Sequence, residues 1–330
     1  MAFLLTRTSL EELKTDVKVT GACPYRTGGW NRSREPDLWA EQSRIRSMRP
    51  GESMVTSGKE FDCKFGIITV PPIWEGGSRK EALHLAACYD SALRMAHKRR
   101  CKSIAFPLLS GDCNGFPRDL AFSTAVQTIG EFLTKHELTV YLSVKDAWVQ
   151  NLKKPEIPGL QDLPQEKTLS PQEQFLLAIG AKTAAPVESA PVEPPVKAPR
   201  GFPFLKPKSL SQMVENPGDS FSEALLKAID ERGLKDPQVY QKANLDRRLF
   251  SKIRGNAHYQ PSKTTALALC VALELSVEET EELLKKAGLA LSDCDAFDII
   301  LKFYIEQGNY DIYEINQALF AYDQPILGAG

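Results

Sequence analysis

The amino-acid sequence predicts two folded parts of different class: an α/β domain on a mixed, largely parallel sheet with helices on both faces, and an all-α domain, joined by a proline-rich segment. Three observations carry this. Short apolar runs rich in Val, Ile and Phe alternate with helical stripes over residues 1–150, as a parallel sheet with crossover helices requires. Prolines crowd residues 151–218, where sustained apolar periodicity is missing apart from a short patch at 172–179. Over residues 219–330, capped amphipathic helices follow one another with no strand-like run.

Residues 3–5, 17–19, 65–70, 104–109 and 138–144 read as strands. Between them, residues 80–99 place Leu83, Ala86, Ala87, Leu93 and Ala96 near one helical face, and 120–133 do the same with Thr124, Ala125, Thr128, Ile129 and Phe132. The centre of the proline-rich segment, PVESAPVEPPVKAPRGFPFLKP, removes backbone donors and favours extended chain, so it is expected to be a semi-stiff tether. Beyond it, Ser220 or Ser222 caps FSEALLKAIDERGL, Pro237 stands early in a second helix, and Asp246 precedes a third, DRRLFSKIRGN. SKTTALALCVALEL and SVEETEELLKKAGL open on serine caps, and two further amphipathic helices, DAFDIILKFYIEQGN and DIYEINQALFAYD, follow. Their aromatic residues point to core and, beyond it, to a homodimer face.

The chain has 330 residues, 42% of them hydrophobic, which is enough for two ordinary cores. A net charge of -1 supplies no global field for nucleic acid, so a basic patch must be local. The seven cysteines form no CxxC pair and are odd in number, which argues against a disulfide framework and a structural zinc site. The four histidines lack metal-ligand spacing, so no metal and no resident cofactor is expected. With no apolar stretch of membrane-spanning length, the expected setting is soluble and cytoplasmic.

The chemistry concentrates in KSIAFPLLSGDCNGFPRD, residues 102–119. A buried-looking strand breaks at Ser110 and Gly111, and a helical stripe begins after Pro117. Gly111 and Gly115 let backbone N–H groups approach an anion, and the helix start adds its dipole. Asp112 is a weak candidate general base and Cys113 or Cys23 a candidate nucleophile, but no histidine stands nearby in sequence to activate a thiol.

This half of the chain resembles the macrodomains, which bind ADP-ribose and related NAD-derived nucleotides. RPGESMVTSGKEFDCKFGIITVPPIWEGG is similar to the family's central segment, ACYDSALRMAHKRRCKSIAFPLLS to the helix and strand before its phosphate loop, GDCNGFPRDLAFSTAVQTIGEFL to that loop with its helix, and LTVYLSVKD to the closing strand. The resemblance implies ligand contacts at Asp16 (toward an adenine amino group), Gly28, Gly29, Ser110, Gly111, Asp112, Cys113, Asn114, Gly115 and Phe116, the last stacking near the ligand. It also marks departures. Thr20 and Cys23 stand where the family has asparagines, the following loop is shortened to RTGGWNRSREPDLW, Ile68 replaces a usual histidine, and Asn114 replaces an aromatic residue. The lost asparagine leans the reading away from catalysis.

The C-terminal half resembles the phage-repressor-like helix-turn-helix domains. VYQKANLDRRLFSKIRGNAHYQPSKTTALALCVALELSVEETEELLKKAGLALS has their order of helix, turn at Asn244, recognition-type helix and locking helices. The resemblance implies DNA contact through Arg247, Arg248, Lys252 and Arg254, or contact with a protein partner. Three functions remain open: a nucleotide-binding sensor or regulator, an ADP-ribosyl hydrolase or O-acetyl-ADP-ribose deacetylase, and a DNA-binding regulator whose nucleotide pocket no longer works.

Overall fold

The structure, a computed structural model, describes residues 2–22, 45, 47–110, 114–145, 149, 152, 154–158, 160 and 219–328. Six short strands form one sheet in the order β1-β6-β5-β2-β4-β3, where β1 is Ala2–Thr6, β2 Val17–Gly21, β3 Ser53–Ser57, β4 Phe65–Thr69, β5 Ser103–Pro107 and β6 Thr139–Ser143. All neighbours are parallel except β3, which runs antiparallel to β4. Central β2 shows why these residues make strands: Val17, Lys18 and Val19 are all buried, and Lys18 survives there because its ammonium reaches the Glu11 carbonyl at 2.9 Å. The sequence did not mark β3. It lies on the edge and is built from Ser and Thr around Met54 and Val55, so it carries no apolar run to read.

Helices α1 (Glu81–Lys98) and α2 (Arg118–Leu133) pack on each other and on the sheet. The buried stripe of α1 is Leu85, Cys88, Tyr89, Ala92, Leu93 and Ala96, a phase rotated from the expected one: Leu83 is 65% exposed. On α2, Ala125, Ile129 and Phe132 are buried as expected, while the hydroxyls of Thr124 and Thr128 bond back to the carbonyls of Leu120 and Thr124 at 2.6 and 2.7 Å.

Over the described residues 219–328 seven helices follow: α3 (Phe221–Glu231), α4 (Asp236–Lys242), α5 (Arg247–Gly255), α6 (Lys263–Ala272), α7 (Val277–Lys286), α8 (Ala296–Glu306) and α9 (Ile312–Ala321). Ser220, Asp246, Ser262 and Ser276 cap α3, α5, α6 and α7 as expected, with full capping boxes at Ser220 with Glu223 and at Ser276 with Glu279, and α8 and α9 are capped by Asp295 and Asp311. Met1–Leu160 and Asp219–Gly330 group as one compact unit and Gln161–Gly218 as another. The start of the expected proline-rich tether is corrected: of residues 151–160, Leu152 and Ile157 are buried and the Tyr322 hydroxyl donates to the Pro155 carbonyl, so this stretch packs on the folded unit, while 161–218 lie outside the described residues. No helix among the described residues is long and apolar enough to cross a membrane.

Within the larger unit the helices dock onto the free edge of β1. Asn244, in the turn between α4 and α5, adopts φ of 52° and is almost fully buried. Its side-chain oxygen accepts from the Phe3 N–H at 2.7 Å, and its amide nitrogen donates to the Phe3 carbonyl at 2.9 Å. One amide thus pairs an edge residue as a neighbouring strand would. Around it, the Tyr313 ring lies against Gly130, where a β-carbon would fall 2.8 Å from the ring, Phe320 stacks on Phe122, and Arg7 pairs with Asp323. Leu327 donates to Asn316 at 2.7 Å, and Gly328 crosses the carbonyls of Ala243 and Asn244 so closely that only glycine fits.

Replacing Asn244 with alanine leaves both Phe3 backbone groups unpaired in a buried place. The expected loss is about 2–4 kcal/mol of unfolding free energy in urea titration. A loss within experimental error would show that the amide does not hold this edge.

Candidate functional site

The carboxyl ends of β4 and β5 carry two loops that clasp each other. After β4 the chain runs through Val70, Pro71 and Pro72, and prolines bring carbonyls but no donors. The β5–α2 loop supplies what they lack. Ser110, buried and at φ of 62°, donates its hydroxyl to the Pro72 carbonyl at 3.3 Å. Asn114 donates its side-chain amide to the carbonyls of Pro71 and Pro72 at 3.3 and 3.0 Å, and its own carbonyl accepts from the Trp74 N–H at 2.8 Å. The rings of Phe116 and Trp74 meet at 4.8 Å.

Deeper in the core, the Tyr89 hydroxyl accepts from the Leu109 N–H at 2.9 Å, and burial raises that phenol's pKa. The side chains of Leu109, Ser110, Asn114 and Phe116 therefore face inward and build the loop. Gly115, at φ of 68°, has open space on its Cβ side and stands just ahead of the α2 start. This arrangement suits an anion held by backbone N–H groups and a helix dipole.

Several expected site residues are placed elsewhere. Asp16 lies at the amino end of β2, away from the loops at the carboxyl ends. There its carboxylate accepts from the Lys102 N–H at 2.7 Å and pairs with Lys64 at 2.7 Å. Burial works against its ionisation, but Lys64 and the Lys102 N–H outweigh that and lower the pKa. Asp16 braces the strand starts and is not an adenine contact at this loop.

Phe116 is also reassigned, since its ring is buried against Trp74 and unavailable for stacking on a ligand. Asn114 and Ser110 act through the loop they hold. Cys23, Gly28, Gly29, Gly111, Asp112 and Cys113 lie outside the described residues. Ile68, standing in place of a histidine, is fully buried. Of the four basic residues on α5, Arg247, Arg248 and Lys252 are exposed, whereas Arg254 is paired with Asp236. No group of three or more metal-ligating side chains forms among the described residues.

Sequence reasoning missed Trp74 and Glu81. The buried Glu81 carboxylate accepts from the N–H groups of Glu75, Gly77 and Arg79 at 3.1, 3.1 and 2.8 Å and so holds the turn beside Trp74. Desolvation pushes its pKa up, but these backbone donors together win and lower it. The brace is therefore intact above the ordinary carboxylate range and is lost as pH falls through the lowered value. Amide hydrogen exchange checks this: Glu81→Gln should lower the protection factors at Gly77 and Arg79 about tenfold at neutral pH, whereas the wild type should lose that protection only as pH falls through the lowered carboxylate pKa. Equal rates in both at neutral pH would remove Glu81 from this role.

Comparison with known proteins gives the family. The Macro domain family model matches residues 26–125. A macro domain-containing protein of Methanosarcina mazei is 39% identical over 117 residues, covering 35% of this chain and 63% of that protein. The O-acetyl-ADP-ribose deacetylase of Klebsiella pneumoniae is 34% identical over 134 residues, covering 38% of this chain and 77% of the enzyme. Among solved structures, the Oceanobacillus iheyensis macrodomain with ADP aligns at 26% identity over 44% of this chain and 83% of that one, with a TM-score of 0.40. Of the Methanosarcina mazei, Ralstonia nicotianae and Chlorobaculum tepidum relatives, the chain spans just over six tenths of the length. With three quarters of the deacetylase matched at this identity, the chain belongs to the macro domain family.

Proposed function

We propose that the α/β part binds ADP-ribose or a related NAD-derived nucleotide, with the diphosphate at the Ser110 to Pro117 loop. The observation that carries this is the orientation of the loop: its described side chains are spent on Pro71, Pro72 and Trp74, and the Gly115 backbone opens outward at the start of α2. Membership in the macro domain family supports the same ligand class. Calorimetric titration of ADP-ribose into the full chain should show one site, and Gly115→Glu should weaken it at least a hundredfold by placing bulk and charge in the open space. A melting curve close to wild type for that variant separates a blocked site from a lost fold. No heat with the wild type would remove the reading.

Turnover is the second reading, motivated by the relatives named as O-acetyl-ADP-ribose deacetylases. Its candidate base is Asp112, and a deacetylation or ADP-ribosyl release assay on the wild type and Asp112→Ala decides it.

The helical part is read as the regulatory output, with DNA as its partner through α5. The specific observation is that Arg247, Arg248 and Lys252 stand exposed on a helix whose start is capped by Asp246. Duplex retention should weaken with salt and fall at least tenfold when all three are changed to alanine. Retention unchanged in that variant would leave α5 without this role, and the nucleotide reading would be unaffected.

A further inference from the structure

A long groove runs between α2 of the α/β part and the helices docked beside it. Its larger portion encloses about 1080 Å³. The floor is apolar: half-buried Leu234 and Tyr313 line it with Val126, Gly130, Val271 and Ile312, which are buried. The rim is acidic, carrying Glu131, Glu274, Asp311 and Glu314.

Among the described residues lining this portion, Lys242 is the one cation, and its ammonium is already held 2.8 Å from Glu274. The other three rim carboxylates have neutral partners: Glu131 accepts from the Gln127 amide, Asp311 caps the backbone of α9, and Glu314 accepts from the Asn309 amide. Among the described residues lining this portion, no cation is paired with these three carboxylates.

A smaller cleft of about 550 Å³ adjoins the first through Ser123, Glu314 and Gln317, and ends at Asp119 and Leu120 in the first turn of α2. Burial, with a smaller push from the Glu314 carboxylate, raises the phenol of Tyr304 in its wall to about 12. From Asp119 to Thr134, α2 rises roughly 22 Å, the length of roughly six or seven residues of extended chain.

We propose that this groove seats a basic segment of a partner protein: an extended stretch in which Lys or Arg alternates with apolar side chains. The charge on the rim selects a cation and repels nucleic acid, while the length and apolar floor suit a chain and not a single small ion. Alternation follows from the cross-section, since one side of an extended strand meets the apolar floor and its flanks meet carboxylates. The groove ends in the turn of α2 that follows Pro117, so the seated segment comes to rest beside the candidate nucleotide loop. The inference stands on the groove alone and survives failure of the nucleotide reading.

Fluorescence anisotropy with the full chain tests it. The probe is a labelled dodecapeptide of Lys-Leu-Arg-Ala repeats, and the control probe has Glu in place of Lys and Arg. The basic probe should bind and the acidic one should not. Glu131→Lys combined with Glu314→Lys should weaken binding at least tenfold, as should Gln317→Trp, which fills the groove without changing charge. Glu11→Lys with Glu12→Lys, an equal charge change at exposed positions distant in sequence, should leave binding unchanged. No binding of the basic probe, an equal loss in both charge-reversed pairs, or full binding by Gln317→Trp at wild-type stability would each overturn the proposal.

Discussion

One side-chain amide ties the α/β sheet to the helices beside it. A sheet edge presents unpaired N–H and C=O groups that invite another chain, and β1 is such an edge. Asn244 answers both groups of Phe3 at once, and it does so from a turn whose left-handed backbone an asparagine tolerates well. Once that pair is made, the other contacts follow as close packing. Tyr313 finds the one place on α2 with no β-carbon, Phe320 reaches Phe122, and the chain near Leu327 closes over Asn316. The buried core of the α/β part consequently includes Phe320 and Ala321 from α9, whose Ile315 and Leu319 belong to the core of the helices.

Much of this architecture was legible in the sequence because local signals were strong. Val17 and Val19, the apolar run of β4 and the serine caps of α3, α6 and α7 each state their conformation within a few residues. What was illegible depended on partners far away. Asn244 reads as a turn residue, and nothing local shows that its amide pairs with a residue 241 positions earlier. β3 escaped because an edge strand of Ser and Thr has no apolar alternation. The stripe of α1 was misphased because its alanines are weak markers of a face, so Leu83 was counted inward when Leu85 and Tyr89 are the buried residues.

At the candidate site the same distinction explains what was right and what was not. The glycine-bearing loop was visible as a motif because backbone geometry needs particular residue types. The partners that shape it were not visible, since Pro71, Pro72 and Trp74 come from another strand's loop. Asp16 was assigned by resemblance of its neighbourhood, but strand register decides where an acid points, and register places Asp16 beside Lys102 and Lys64. Asn114 and Phe116 were assigned to a ligand when they are the inner face of the loop that would hold one.

That inward orientation bears on what kind of site this is. A loop whose described side chains, Ser110, Asn114 and Phe116, are committed to its own support leaves backbone donors and a helix end for an anion. Serine and asparagine here satisfy proline carbonyls, a task any pocket for this ligand must solve if it places two prolines beneath the loop. Specificity beyond the anion must then come from the neighbouring walls: the Trp74 turn held by Glu81 on one side, and on the other the first turn of α2, where the acidic groove ends. The two proposed sites are opposed in charge, the loop taking an anion and the groove a cation. A ligand that carries both, a negatively charged nucleotide beside a positively charged polypeptide, matches the surface better than either charge alone.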